Sequence, residues 1–246
     1  MSGHELDIVI PVYNEGVNIL PVLKGFREKV KTPFRVLICY DFEQDDTLPA
    51  IASLPQDMLD LVLVRNHERG PHAAVRAGFA ASTARAVLVY MADDDYNIGL
   101  IDRMMEEFRN GADIVAASRF MPGGHMEGGP FFKALLARAA TFSIYHFGRA
   151  PIHDATNAFK LFSRRVLDEI EIESRRGFTF AIELMVKASR MGWKVVELPA
   201  QWFERTDKPS RFNISAWMGD YLHWYLYAFA TFWLRKGPGS VKRKKS

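Results

Sequence analysis

The sequence predicts an α/β fold, a mostly parallel sheet flanked by helices, on two observations. Continuous apolar runs recur through the first half, and stretches of helical periodicity separate them. A strand that is apolar at every position is buried on both faces, the condition of a parallel sheet covered by helices. The strand candidates are Asp7 to Val12, Phe34 to Tyr40, Leu59 to Val64 and Ala86 to Met91. The helix candidates are Val17 to Val30, Asp45 to Leu54 and Pro71 to Thr83; Ile98 to Phe108 continues the series before Ala112 to Ala116 returns to strand. In such sheets ligands bind at the carboxyl ends of the strands. Chemistry is therefore expected in the residues that follow each strand.

The second half reads differently. Met121 to Pro130 holds four glycines and two prolines, the composition of a mobile loop. A helix over Phe131 to Phe147 follows, then the polar run His153 to Asn157 and a short apolar strand, Ala158 to Phe162. A further helix (Phe180 to Met191) precedes a strand at Lys194 to Leu198 and an arginine-bearing loop from Gln201 to Arg211. No repeat or composition break marks a second domain. The expected division is one domain over 1–212, an aromatic amphipathic helix over 213–236 and a basic tail over 237–246.

Composition narrows the function classes. A chain of 246 residues suits one sizeable α/β domain, and 48% hydrophobic with 25% charged residues is ordinary for a globular protein. A formal charge of +3 gives no case for nucleic-acid binding; the basic excess is local, in Lys242, Arg243, Lys244 and Lys245. The single cysteine, Cys39, excludes an intramolecular disulfide, fits a reducing compartment and reads as a small core residue. The acidic, polar start has no signal-peptide pattern, so the expected location is the cytosol or a membrane surface facing it.

Asp93, Asp94 and Asp95 directly follow the fourth strand candidate. Three adjacent carboxylates repel one another and need a cation or full solvation. Mg²⁺ and Mn²⁺ take oxygen ligands, commonly one or two carboxylates plus substrate phosphates. The bland alternative is a solvated turn capping the helix that begins near Ile98.

Seven segments in register resemble inverting family 2 glycosyltransferases, especially the polyprenol-phosphate mannosyl- and glucosyltransferase group. Ile8 to Glu15 resembles the first strand and its Pro-x-Tyr-Asn-Glu turn, and Arg69-Gly70 with Ala74 to Phe79 resembles the third helix. Ala117 to Phe120 is similar to a Gly-Ser-Arg-Tyr/Phe segment, and Asp154 to Phe162 to Asp-x-Thr-Ser-Gly-Phe-Arg-Leu-Phe. Gly177-Phe178, Ile182 to Leu184 and Gly192 to Pro199 complete the set, which runs from about residue 6 to 212. The resemblance implies a GT-A fold. Three departures stand out. Where the family has Asp-Asp-Gly-Ser-x-Asp-Gly-Thr, this chain keeps Asp41, Asp45 and Thr47 alone, which bears on base selection. Met91 stands at the first Asp of the metal motif Asp-x-Asp, with Asp93 at the second. Methionine is no ligand for a hard cation, so Asp94 or Asp95 must help or metal dependence is weakened. Ala158 replaces a glycine.

Roles follow from the resemblance. Pro11, Tyr13, Glu15 and Asp41 are expected to hold the nucleotide base, with Arg69 also on the donor side. An aromatic face and a carboxylate suit a base's ring and N–H groups. Asp93 and Asp95 are the metal candidates. Arg119 and Arg138 align with positions that face an acceptor phosphate; Thr156, Asn157 and Glu183 are grouped with them. Arg138 is also a lone charge on a small-residue helix, where it needs a partner. Arg205 and Arg211 lie in a loop that in relatives closes over the donor diphosphate. Asp154 orients these groups, or serves as base if the acceptor is a sugar hydroxyl. A lipid monophosphate, with its second pKa near ~6, is already a nucleophile at neutral pH and needs no base.

The expected activity is thus transfer of a sugar from a nucleotide sugar to a lipid phosphate, with Mg²⁺ or Mn²⁺. Ile214 to Leu234 carries eight aromatic residues, but its most apolar part, Tyr221 to Leu234, makes only about 21 Å of helix. That is too short to span a bilayer and suits an interfacial helix on the cytoplasmic side, assisted by the basic tail, or a homodimer contact. Three rivals stay open: a glycosyltransferase acting on a glycan hydroxyl, a nucleotidyltransferase and a non-catalytic nucleotide-sugar-binding protein. Tyr13-Asn14-Glu15 stands where a nucleotidyltransferase carries a Gly-rich basic loop.

Overall fold

The computed structural model describes residues 3–55, 57–128, 131–150, 152–203 and 214–244, with backbone alone at 131–134 and 214–216. Its centre is a seven-stranded sheet. The strands are β1 (Leu6–Pro11), β2 (Phe34–Tyr40), β3 (Leu61–Arg65), β4 (Ala86–Val89), β5 (Ile114–Ser118), β7 (Lys160–Ser163) and β8 (Val195–Pro199), in the order β3-β2-β1-β4-β7-β5-β8. All pairings are parallel except those of β7, which runs antiparallel between β4 and β5. The sequence could not show that reversal, because a strand buried on both faces reads the same in either direction.

Helices cover both faces. α1 (Ile19–Lys29), α2 (Thr47–Ala52) and α4 (Ile101–Arg109) lie on one side, and α3 (Pro71–Ala81), α6 (Arg164–Glu169), α7 (Phe180–Arg190) and α8 (Ile214–Trp233) on the other. Strand alternation feeds each layer. In β1, Leu6, Ile8 and Ile10 join the α1 side, while Val9 joins the α3 side. α3 approaches the sheet closely at Gly78, where an added Cβ would stand 2.4 Å from Val9 Cγ1 and 2.9 Å from Cys39 Sγ. Cys39 is a core residue as expected, and burial pushes its thiol up to about 12, which makes it inert.

The chain steps outward from β1 to β2 and β3, then returns to place β4 on the other side of β1. That reversal is a topological switch point, where the loops after two neighbouring strands diverge and leave a crevice. The loop after β1 and the acidic turn after β4 face each other across it.

Two expectations need correction. The glycine-rich segment 121–130 is not loop throughout: β6 (His125–Glu127) pairs in parallel with β9 (Gln201–Phe203) as a small ribbon. The basic tail, expected as a separate segment over 237–246, lies in part against the domain. Val241 is 8% exposed, Ile170 and Arg243 form a β-bridge, and Lys242 Nζ sits 2.8 Å from Glu171. Lys244 Nζ donates to Leu167 O at 2.6 Å. Apolar Val241 fixes the segment, and Lys242 and Lys244 each have a partner within the protein.

At the amino ends of the strands, Asp7 is fully buried. It accepts from Arg35 Nε and Nη2 (2.9 Å each), Ser82 Oγ (2.7 Å) and the amides of Thr83 and Ala84. It thereby ties β1 and β2 to the turn before β4. Burial alone would raise the carboxyl, but these donors hold it below its ordinary range. A depressed folded pKa gives stability that is present above the unfolded value of about 4 and lost as pH falls through the folded value. Thermal melts from pH 7 to 2 are therefore expected to show a smaller acid loss in Asp7→Asn than in wild type. The variant should already be destabilised at pH 7 by about 3 kcal/mol, because Arg35 loses its buried partner.

Candidate functional site

The turn after β1 is shaped from beneath. Asn14 adopts a left-handed φ of 52°, and its amide donates to Asp45 Oδ2 at 3.1 Å. Asp45 is fully buried and also accepts from Thr47 N at 2.9 Å; Thr47 Oγ1 accepts from Glu15 N at 3.0 Å. Two of the three residues kept in the departed motif thus hold the turn that carries Pro11, Tyr13 and Glu15. Sequence reasoning missed this role, although their persistence in a divergent segment was the signal. Tyr13 is 52% exposed and meets Phe42 edge-on at 5.5 Å. Asp41, the third retained residue, accepts from Asn66 Nδ2 at 2.8 Å and from Gly70 N at 2.9 Å. It pins the end of β2 to the start of α3, where Gly70 has φ +99° and Arg69 is exposed. Each Asp41 oxygen holds one donor there and keeps lone-pair capacity for another.

The acidic turn divides its three carboxylates between two jobs. Asp94 is largely buried and accepts from the amides of Tyr96 and Asn97 and from Asn97 Nδ2 at 2.7 Å. Burial raises its pKa against those donors. Asn97 in turn donates to Gln201 O (2.7 Å) and accepts from Gln201 N (2.9 Å), locking the turn to β9. Asp93 and Asp95 are exposed, and neither has a hydrogen bond or ion pair among the described residues. Met91 packs against the core, so it contributes no ligand. No group of three metal-binding side chains occurs among the described residues. Two free carboxylates on a strand edge fit a divalent ion whose remaining positions are filled by water and substrate phosphate.

The third component lies at the end of β5. Asp154 is fully buried and carries five donors: Arg119 Nε (2.7 Å), Nη2 (3.0 Å) and N (3.1 Å), Thr156 Oγ1 (3.3 Å) and Asn157 N (3.2 Å). Arg119 Nη2 also donates to Thr156 Oγ1 at 3.0 Å. Asn157 is fixed through Ala117 O, and Lys160 Nζ donates to the carbonyls of Asp154 and Asn157. Burial lowers the Lys160 ammonium to about 8, against the pull of Asp154 and Glu197. Burial would raise Asp154, but the Arg119 guanidinium beside it holds its carboxyl below the ordinary range. A saturated, firmly ionised carboxylate is a poor proton acceptor. Its geometry orients Arg119, and the base role considered for a hydroxyl acceptor loses its support.

Arg119 and Arg138 come together across one ring. The Arg119 guanidinium lies 5.1 Å from the centroid of Phe120 and that of Arg138 lies 5.6 Å from it. Arg138 projects from α5 (Phe131–His146), is exposed, and has no carboxylate partner among the described residues. Glu183 is a correction. It is fully buried, and its oxygens accept from the amides of Glu173 and Ser174 and from Lys187 Nζ at 2.6 Å, so it braces a loop and touches no acceptor. Arg205 and Arg211 lie outside the described residues.

Comparison with known proteins identifies the family and the fold. The family model described as Glycosyl transferase family 2 matches residues 7–171. The chain is 32% identical over 228 residues to polyprenol monophosphomannose synthase of Mycolicibacterium smegmatis, covering 88% of this chain and 85% of that one. It is 26% identical over 202 residues to dolichol-phosphate mannosyltransferase of Pyrococcus furiosus, covering 79% of this chain and 55% of the longer relative. Among solved structures, glucosyl-3-phosphoglycerate synthase from Mycobacterium tuberculosis with Mn²⁺, UDP-glucose and phosphoglyceric acid superposes with a TM-score of 0.71. Identity there is 15%, with 93% of this chain and 81% of that chain covered. That likeness shows the fold, which is GT-A.

The division of labour in the acidic turn has a direct test. Asp94→Ala is expected to lower stability by about 1–3 kcal/mol, because it strips the acceptor from Asn97 and two amides. Asp93→Ala and Asp95→Ala should leave the melting temperature unchanged or slightly raised, since each relieves like-charge repulsion. Differential scanning calorimetry of the three variants distinguishes the roles.

Proposed function

This chain belongs to glycosyl transferase family 2, and we propose that within it the enzyme transfers a sugar from a nucleotide-sugar donor (UDP- or GDP-linked) to a polyprenyl-phosphate lipid, with inversion at the sugar carbon. The observation that carries the reading is the pairing of an unneutralised, exposed Arg138 with Arg119 across Phe120, next to a carboxylate unsuited to base catalysis. Two guanidinium groups beside one ring, of which only Arg119 has a carboxylate partner among the described residues, suit an anion, and a guanidinium matches phosphate bidentately. A phosphate monoester supplies its own charged nucleophile, so nothing in the protein needs to take a proton. The likeness to a polyprenol monophosphomannose synthase supports the same acceptor.

The donor belongs in the crevice at the switch point. Tyr13 offers a stacking face, Glu15 and Asp41 offer acceptors for base N–H groups, Pro11 shapes the turn, and Arg69 lies beside the start of α3. Arg205 and Arg211 complete the donor set in this proposal. Asp93 and Asp95 would hold Mg²⁺ or Mn²⁺; the ion's chemistry is to neutralise charge on the departing nucleotide diphosphate. The arginines align the acceptor and offset its charge as it approaches, which is catalysis by positioning and electrostatics.

The enzyme works as a peripheral protein on the cytoplasmic side of a membrane in this reading. No helix among the described residues is long and apolar enough to cross a bilayer. α5 exposes Leu135, Leu136 and Phe142, and α8 exposes Met218, Leu222 and Leu226. The two helices are joined by the hydrogen bond between Ser143 Oγ and Tyr225 Oη at 2.7 Å. A shared apolar surface of this kind suits shallow insertion at the level of the headgroups. Apolar contact carries the attachment in this reading; a second copy of the chain is the other occupant.

Nucleotide diphosphate release is the measurement, with a panel of UDP- and GDP-sugars, Mg²⁺ or Mn²⁺, and short-chain polyprenyl phosphate. Release should depend on the lipid phosphate and fall about tenfold to a hundredfold in Arg138→Ala, the loss of one charge-assisted contact. The melting temperature should not move, because Arg138 is exposed. Release with a glycan and none with the lipid phosphate would overturn the reading.

A further inference from the structure

Four buried hydroxyls lack a hydrogen-bond partner among the described residues: those of Tyr90, Ser118, Thr141 and Tyr221. Folded proteins rarely leave such groups unmatched, because each costs stability that water would otherwise have supplied. Three of the four lie near the two arginines. Ser118 precedes Arg119, Thr141 follows Arg138 by three residues, and Tyr221 stands close enough to Arg119 and Asp154 to feel both charges.

Tyr221 is the informative member. Its neighbours are donors or are already full. The Arg119 guanidinium is a cation with no acceptor atom. The Phe178 amide acts on the phenol as a donor does, lowering its pKa against the larger effect of burial. Asp154 already takes five donors on two oxygens. The phenolic proton therefore has no acceptor among the described residues. Nor is the ring free to turn elsewhere. One helical turn earlier on α8, Trp217 lies against Gly177, where an added Cβ would stand 2.6 Å from its ring and φ is +57°. That contact fixes the start of α8 and the placement of Tyr221 after it.

We propose that the Tyr221 hydroxyl donates a hydrogen bond to the phosphate of the lipid acceptor, as a third substrate contact beside Arg119 and Arg138. A phosphate oxygen is the acceptor that the buried phenol lacks, and the arginines bring it there. The inference rests on the phosphate-acceptor reading. It also gives α8 a second role, since the helix that presents Leu222 and Leu226 to the bilayer delivers a contact to the group being glycosylated.

Tyr221→Phe separates this role from a structural one, with Tyr227→Phe as its control. The Tyr227 hydroxyl, on the same helix, donates to Ser240 O at 2.7 Å. Steady-state kinetics with a short-chain polyprenyl phosphate and a nucleotide sugar are read alongside melting temperature. In Tyr221→Phe the KM for the lipid phosphate should rise about tenfold. The donor KM should stay within about twofold, and the melting temperature should hold or rise, because an unmatched group has been removed. Tyr227→Phe should lose melting temperature and keep its acceptor KM. An unchanged acceptor KM in Tyr221→Phe, or a loss of melting temperature like that of Tyr227→Phe, overturns the inference alone. Wild-type protein that never turns over lipid phosphate overturns it together with its premise.

Discussion

A guanidinium buried beside a carboxylate is stable only when both are fully matched, and the acceptor side of this enzyme is arranged around meeting that condition for Arg119 and Asp154. Five donors converge on Asp154, and Glu197 receives its backbone amide at 2.9 Å. Lys160 ties the carbonyls of the same loop together from below. Removing either member would leave an uncompensated charge in the interior. The same arrangement holds the Asp154 carboxyl below its ordinary range and occupies it with donors, which in the proposed reading suits it to orienting a cation and not to abstracting a proton. Chemistry then falls to whatever nucleophile the substrate brings.

The donor side obeys a different constraint, that of a crevice opened by strand order. Since β1 lies between β2 and β4, the loops that follow β1 and β4 part around a common space. Each is held from beneath by residues that never reach it: Asp45 and Thr47 under Tyr13 to Glu15, Asp94 and Asn97 under Asp93 and Asp95. Buried acids shape the backbone, and exposed acids remain for a ligand.

Much of this was legible in the residues. Strand and helix alternation gave the parallel sheet, and the position after each strand pointed to Tyr13, Asp93 and Arg119. The helix expected over 213–236 overlaps α8, which ends at Trp233. What failed did so for physical reasons. Glu183 matched a motif, but a motif cannot distinguish a carboxylate that faces a ligand from one that braces a buried lysine four residues on. The expectation for the tail rested on its charge count, which passes over Val241, an apolar residue packed on the core. The orientation of β7 and the β6–β9 ribbon depend on partners more than 30 residues away, beyond the reach of local periodicity. The partner expected for Arg138 proved to be an aromatic ring, with no carboxylate beside it among the described residues.

In the proposed reaction the acceptor's own phosphate is the nucleophile. The most direct measurement is ³¹P nuclear magnetic resonance of the lipid product after incubation with nucleotide sugar. The account predicts that the monoester signal of the lipid is replaced by a phosphodiester signal. Coupling to the sugar's anomeric proton should show the configuration opposite to that of the donor. A lipid that gains sugar while its phosphate environment stays unchanged would place the new bond on a hydroxyl and contradict the account.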